Sequence, residues 1–393
     1  MPDIPAPIVR ATPPLFALGF RPFFLAAGLW ALIALPLWLM VLWGWLPAHR
    51  YYQGAAWHAH AMLFGYATAV IAGFLLTAVR NWTGMATATG AGLAGLAGLW
   101  LAGRLAPWLP LPGSVVAALD TAFPIVLAAS LFRPLWLGPN PVNRVFVGLL
   151  AGMSAAALLV HLQVLGFAHG TALAGERLML GLVLGALILV GGRVLPFFTQ
   201  SAVAGSAPIT RRWVETSTFV LWGLWVLGET IGGADALTGV LALALSAVLT
   251  LRLSTWHERR VWSIPILAVL YAGFGWLVIG LLLNGLGHLG LVGPSPALHA
   301  LTVGAIGVVT LGMMSRVILG HTGRPMGASA TMIAAFWAMN LAALTRVAGP
   351  LLWPGAYSQW LLLSGALWTL AFAAFLWVHA PMLVRARIDG RPG

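Results

Sequence analysis

The chain has 393 residues, of which 61% are hydrophobic and 7% charged, and its mean hydropathy is +0.95. No soluble globular protein carries that composition, so the sequence reads as an integral membrane protein. Cysteine is absent, which excludes disulfides, thiolate metal sites and cysteine nucleophiles and leaves His, Met and carboxylates to hold any metal. The formal charge of +12 rests on twenty basic residues, all arginine, spread between apolar runs; that is a topological signal, and no nucleic-acid partner is expected.

In chain order, residues 1–21 are Pro-rich and show no cleavable signal. Apolar runs of spanning length, roughly 20 residues each, then fall near 22–46, 57–80, 85–106, 113–135, 143–166, 174–195, 212–232, 234–251, 264–286, 296–319, 328–348 and 356–380. The expected fold is all-α: a polytopic membrane protein of about twelve transmembrane helices in one transmembrane domain. Connections such as Leu109 to Gly113 and Gly138 to Asn143 are short, so no separate soluble domain fits. With the N-terminus in the cytoplasm, sixteen of the twenty arginines, Arg10 and Arg21 among them, fall on the inner side. Only Arg50, Arg104, Arg177 and Arg346 fall outside. The bias places both termini in the cytoplasm and asks for an even number of spans. Tryptophans such as Trp43, Trp45, Trp82 and Trp108 cluster at run ends as an interfacial belt, with lipid as the surrounding partner.

The second run, Trp57 to Gly84, opens with His58 and His60 where a membrane makes polar groups costly. Laid without a gap on His299 to Gly323, it pairs His60 with His299, Gly65 with Gly304, Gly73 with Gly312, Thr83 with Thr322 and Gly84 with Gly323. Midway between them the sixth run opens with Glu176 and Arg177, followed by Gly181 and Gly185, a weaker third analogue. Three four-helix units, 1–135, 136–251 and 252–393, would each put a polar opening in their second helix. Such an arrangement is similar in architecture to the haem-copper oxidase core, an analogy that carries no function by itself.

Positions i and i+2 of a helix point about 200 degrees apart, so His58 and His60 face two different groups rather than one metal. Haem iron needs only one or two axial imidazoles; a bis-histidine haem between helices two and ten would use one of this pair with His299. The other is then free for a second haem or a copper ion. Any haem is expected to be b-type, because no CxxCH is present. Trp57 and Arg177 are candidate cofactor contacts, and His161, near the outer end of the fifth helix, is a further metal candidate. His321, in GHTGRP, is either an inner-side metal site or a phosphate or headgroup contact, and at roughly 33 Å from His299 along a helix it cannot share a metal with it. Asp120 and Glu229 are candidates for handling protons or holding copper, the alternative being ion pairs with Arg104 or Arg177. Met313, Met314 and Met339 offer soft ligands but more often simply pack. The bland alternative for the histidines is hydrogen bonding to neighbouring helices, and an HxH pair matched by a third histidine at the same depth argues against it.

Four motifs carry a family resemblance: LFALGFRPFF (Leu15 to Phe24), WHAHAMLFGYATAVIAGFLLTAVRNWTG (Trp57 to Gly84), GGRVLPFFT (Gly191 to Thr199) and HALTVGAIGVVTLGMMSRVILGHTGRP (His299 to Pro325). The chain resembles NnrS, a bacterial inner-membrane family, nearly end to end. The resemblance implies a protein of the bacterial cytoplasmic membrane that contains haem and copper. It also implies a link to nitric oxide, denitrification and protection against nitrosative stress. Nitric oxide is then the small-molecule ligand or substrate, and a reductase would join two molecules to nitrous oxide with two electrons, from an unknown donor, and two protons. The rival readings are a non-catalytic haem or nitric oxide carrier or sensor, and a secondary transporter. The family pattern HxHEM departs here at Ala61, which removes the carboxylate to which a proton-delivery role would be assigned.

Overall fold

A computed structural model describes residues 12–47, 50–233 and 235–391; Arg10 lies outside them. Among the described residues every regular element is helical. Twelve long helices follow the chain: α1 Phe20–Leu42, α2 Ala55–Thr83, α3 Gly90–Leu105, α4 Gly113–Leu137, α5 Val145–Val164 and α6 Thr171–Ala202. The second half holds α7 Arg212–Ile231, α8 Asp235–Trp256, α9 Pro265–His288, α10 Pro294–His321, α11 Ala330–Leu352 and α12 Tyr357–Val384. Ten of the twelve are long and apolar enough to cross a membrane, and the chain is a multi-pass membrane protein. The exceptions are α3 and α7. The first stops at 16 residues because left-handed Gly84 and the unwound residues after it take up its expected start. The second is diluted by Arg212, Glu215 and Glu229.

Short connections make consecutive helices run in opposite directions and pack as neighbours, and α12 returns to close against α1. That closure depends on the second residue of FRPFF. Arg21 is fully buried, and its guanidinium donates to the carbonyls of Leu383 (2.9 Å) and Arg385 (2.7 Å) at the open end of α12. A helix end leaves four carbonyls without partners, and a buried cation is well suited to that negative pole.

Helices α2, α6 and α10 meet in the interior, and α2 and α10 are the most enclosed of the spans. Tyr66 of α2 and Thr310 of α10 join them through their hydroxyls at 2.5 Å. The two histidine-led stretches also match in backbone. Residues Ala61–Ala67 and Ala300–Gly307 are both π-helical, each starting at the residue after an aligned histidine. Such wide turns are rare and often accompany functional sites. Both stretches end in Thr-Gly with the glycine left-handed, Gly84 at φ 69° and Gly323 at φ 75°, a conformation that other residues adopt at a cost. In each central helix a glycine lies directly beneath a neighbouring helix's tryptophan: Gly65 under Trp30, Gly185 under Trp222 and Gly304 under Trp276. A side chain at any of the three would collide with the indole, so the close approach of the helices requires the glycine.

Candidate functional site

Because helix direction alternates, the N-terminal ends of α2, α4, α6 and α10 share one end of the bundle with the C-terminal ends of α3, α5, α7, α9 and α11. The polar side chains expected at one membrane depth are gathered there. They form three separate groups.

The first group is centred on Asp120, in the second turn of α4. Its Oδ2 accepts from His60 Nε2 of α2 and from His161 Nε2 of α5, both at 2.9 Å. Its Oδ1 is paired with the Arg104 guanidinium of α3. All four side chains are buried. The His60 ring is clamped between Tyr52 (centroids 4.5 Å apart) and Phe64 (4.6 Å), Phe64 lying one turn on along the helix, so its orientation is fixed. Two tyrosines of the α1–α2 connection complete the group: the Tyr51 hydroxyl lies 2.9 Å from His161 Nδ1, and the Tyr52 hydroxyl lies 3.0 Å from His60 Nε2. Burial pushes the Tyr51 hydroxyl up to about 12 and raises that of Tyr52 as well, so both remain protonated. One ligand atom from each of His60, Asp120 and His161 falls within 4.8 Å of the others, a spacing that a metal ion could bridge. Two imidazoles with one carboxylate suit zinc, copper or iron, and binding through Nε2 would first move the proton of each ring from Nε2 to Nδ1.

The second group belongs to His58 and His299. As the 200-degree offset requires, His58 turns away from His60. Its ring stacks on Trp38 of α1 (5.4 Å, 13°), and its Nδ1 is buried with no hydrogen-bond partner. On α10, His299 Nδ1 donates to the Ser295 carbonyl at 2.7 Å. That bond sets the tautomer and makes Nε2 the lone-pair nitrogen. Arg346 of α11 lies near both imidazoles, and His58 near His299. The Arg346 guanidinium is held by the Ser295 hydroxyl (3.2 Å) and the Tyr357 hydroxyl (3.1 Å).

The third group surrounds Glu229 at the end of α7. Its Oε1 accepts from Asn284 Nδ2 (2.9 Å) and His288 Nε2 (2.8 Å) of α9, and Arg177 of α6 donates to its backbone carbonyl. His288 also faces exposed Asp235 at 3.3 Å. Arg177 thus sits with Glu229 rather than with the histidines of α2 and α10. Trp57 is buried edge-on to Trp108 at 5.5 Å. His321 lies at the opposite end of the bundle, 5.6 Å from the Phe20 ring, with its carbonyl accepting from Arg387.

The structure therefore brings together His60, Asp120 and His161, and separately His58 and His299; Glu229 and Arg177 form a third set, and His321 and Trp57 stand apart. Arg104, Arg346, Tyr51, Tyr52, Trp38 and His288 were not singled out as site residues. A signal for two of them was present, because Arg104 and Arg346 are exceptions to the arginine bias.

No curated protein matches the chain. The family model described as NnrS protein matches residues 14–387, nearly the whole chain, and the chain belongs to the NnrS family.

Proposed function

We propose that this membrane protein binds haem b through His58 and His299 and acts on nitric oxide at that end of the bundle. The observation that carries the reading is the pair of imidazoles on α2 and α10. Each keeps a nitrogen with no protein partner: His58 Nδ1 is an orphan, and His299 presents Nε2 because Nδ1 is engaged by Ser295. Leaving a buried polar atom unsatisfied costs about 1–3 kcal/mol, a cost that holding a haem iron would offset. The donor set fits haem, which asks the protein for imidazoles and a hydrophobic surround. Arg346 supplies a fixed cation for a carboxylate of the cofactor. The stacked Trp38 ring and the Ser295 carbonyl hold the two imidazoles in orientation, as outer partners of metal-bound histidines do. Haem iron, when bound, supplies a centre with strong affinity for nitric oxide.

The His60, Asp120 and His161 group is the proposed second metal site, with copper the metal the family resemblance implies. In the reductase form of this proposal two nitric oxide molecules become nitrous oxide and water, taking two electrons and two protons from outside the site. A second reading, a non-catalytic haem or nitric oxide carrier, is favoured by one observation: Asp120 is already neutralised by Arg104 and both imidazoles are hydrogen-bonded to it, so the group is complete without an ion. Counting iron and copper per chain in purified protein, then measuring nitrous oxide production with an artificial electron donor, separates the two. Iron with a second metal and turnover supports the reductase. Iron alone with nitric oxide binding and no nitrous oxide supports the carrier, and protein with neither metal contradicts both.

A further inference from the structure

At the end of the bundle away from the histidine groups, a cavity of about 110 Å³ opens between α10, α11 and α12. Its wall includes Ser315 and Leu319 of α10, Ser329 and Met332 at the start of α11, and His379 and Met382 of α12. His379 is 1% exposed, and neither of its ring nitrogens has a hydrogen-bond partner. Among the described residues it is the one histidine with both nitrogens buried and unsatisfied. A neutral imidazole offers one donor and one acceptor, so the occupant that would satisfy it is a group able to accept and to donate.

The rest of the wall narrows the chemistry. The Ser315 hydroxyl donates to the Leu311 carbonyl at 2.9 Å and keeps its lone pairs for a ligand. Ser329 accepts from the Met332 backbone N–H at 3.3 Å and keeps its hydroxyl hydrogen. Among the described residues no charged side chain lines the cavity, and Ile266, Leu319, Met332, Val378 and Met382 make the remainder apolar, which suits an uncharged, lipophilic occupant. An engineered cavity of roughly 150 Å³ holds a benzene ring; at about 110 Å³ this one takes at most a single six-membered ring, with any tail left in the bilayer. Methionine sulfurs at its wall make favourable contacts with aromatic rings.

We propose that this cavity binds the ring of a lipid-soluble hydroquinone, with His379 hydrogen-bonding its hydroxyl, which can both donate and accept. The site lies apart from the nitric oxide reading and does not depend on it.

The test is equilibrium dialysis of the purified full-length protein, under reducing conditions, against single-ring benzohydroquinone analogues with short alkyl tails. The expected result is saturable uptake of one molecule per chain. Affinity should fall about tenfold or more in His379→Leu, the loss of a good hydrogen bond from a buried group. Met332→Trp should reduce it similarly by filling the cavity, and His379→Gln, which keeps a donor and an acceptor, should largely retain it. His379→Leu removes two orphan polar atoms and is expected to unfold at or above the wild-type temperature, so loss of binding there is not loss of fold. No saturable uptake, or equal uptake in all variants, overturns the proposal, as does stoichiometric uptake of cuprous ion that His379→Leu abolishes without any hydroquinone binding. Neither haem nor nitric oxide enters the assay, so its failure leaves the proposed function standing.

Discussion

His58 and His60 stand two residues apart on one helix, and their environments are opposite. His60 is gripped on both faces by aromatic rings and shares its proton with Asp120. His58 has one ring against it and a nitrogen with nothing to bond. In the first group Asp120 ties side chains of α2, α3 and α5 to α4, although Arg104 Nε is left without a partner. In the second the protein tolerates an unsatisfied atom at a cost of about 1–3 kcal/mol. Burial alone therefore does not distinguish a structural histidine from a ligand; the state of its second nitrogen does.

The largest test of that contrast is Asp120→Ala. It leaves the Arg104 charge buried beside two imidazoles without an acceptor, and breaking a buried pair from one side costs about 3–5 kcal/mol. Thermal unfolding in detergent should show a large drop, mostly restored when Arg104→Met is added, because the second change removes the stranded charge. An unchanged midpoint in Asp120→Ala would break the description of the first group. Next in size, His60→Leu should destabilise the metal-free protein by about 1–3 kcal/mol, whereas His58→Leu, which loses no hydrogen bond, should cost under about 1 kcal/mol. Equal losses would erase the contrast. Tyr66→Phe removes the hydroxyl contact to Thr310 and should cost about 1 kcal/mol, read by the same melt. The smallest effect concerns pH. Two neutral imidazoles can move their Nε2 proton to Nδ1 on ligation and release none, so the apparent affinity of a metal taken up by His60, Asp120 and His161 should change little between about pH 6 and 8; a steep rise with pH would show that the ion displaces protons from other groups.

Much of this was legible in the sequence, and for identifiable reasons. Apolar runs of spanning length have few alternatives to helix, so the twelve elements could be read from composition and spacing. The divergence of His58 and His60 follows from helix geometry alone. The partners were harder to read, because they come from elements distant in sequence. Tyr51 and Tyr52 reach His161 and His60 from a connection, and Trp38 comes from another helix. The π-helical turns left no trace, since a uniformly apolar run carries no periodicity to shift. One signal was present and read differently. Of the four arginines assigned to the outer side, Arg104, Arg177 and Arg346 each enter a polar group. An arginine that defies the charge bias in a membrane protein is expensive to place, and here three of the four exceptions mark a buried or half-buried acceptor.

The most direct measurement is the absorption spectrum and iron content of purified wild-type, His58→Leu, His299→Leu and His60→Leu proteins. The account predicts Soret and alpha bands in the wild type, their loss with iron in His58→Leu and in His299→Leu, and iron retained in His60→Leu. Colourless wild-type protein, or bands that survive both the His58 and the His299 substitutions, would contradict it.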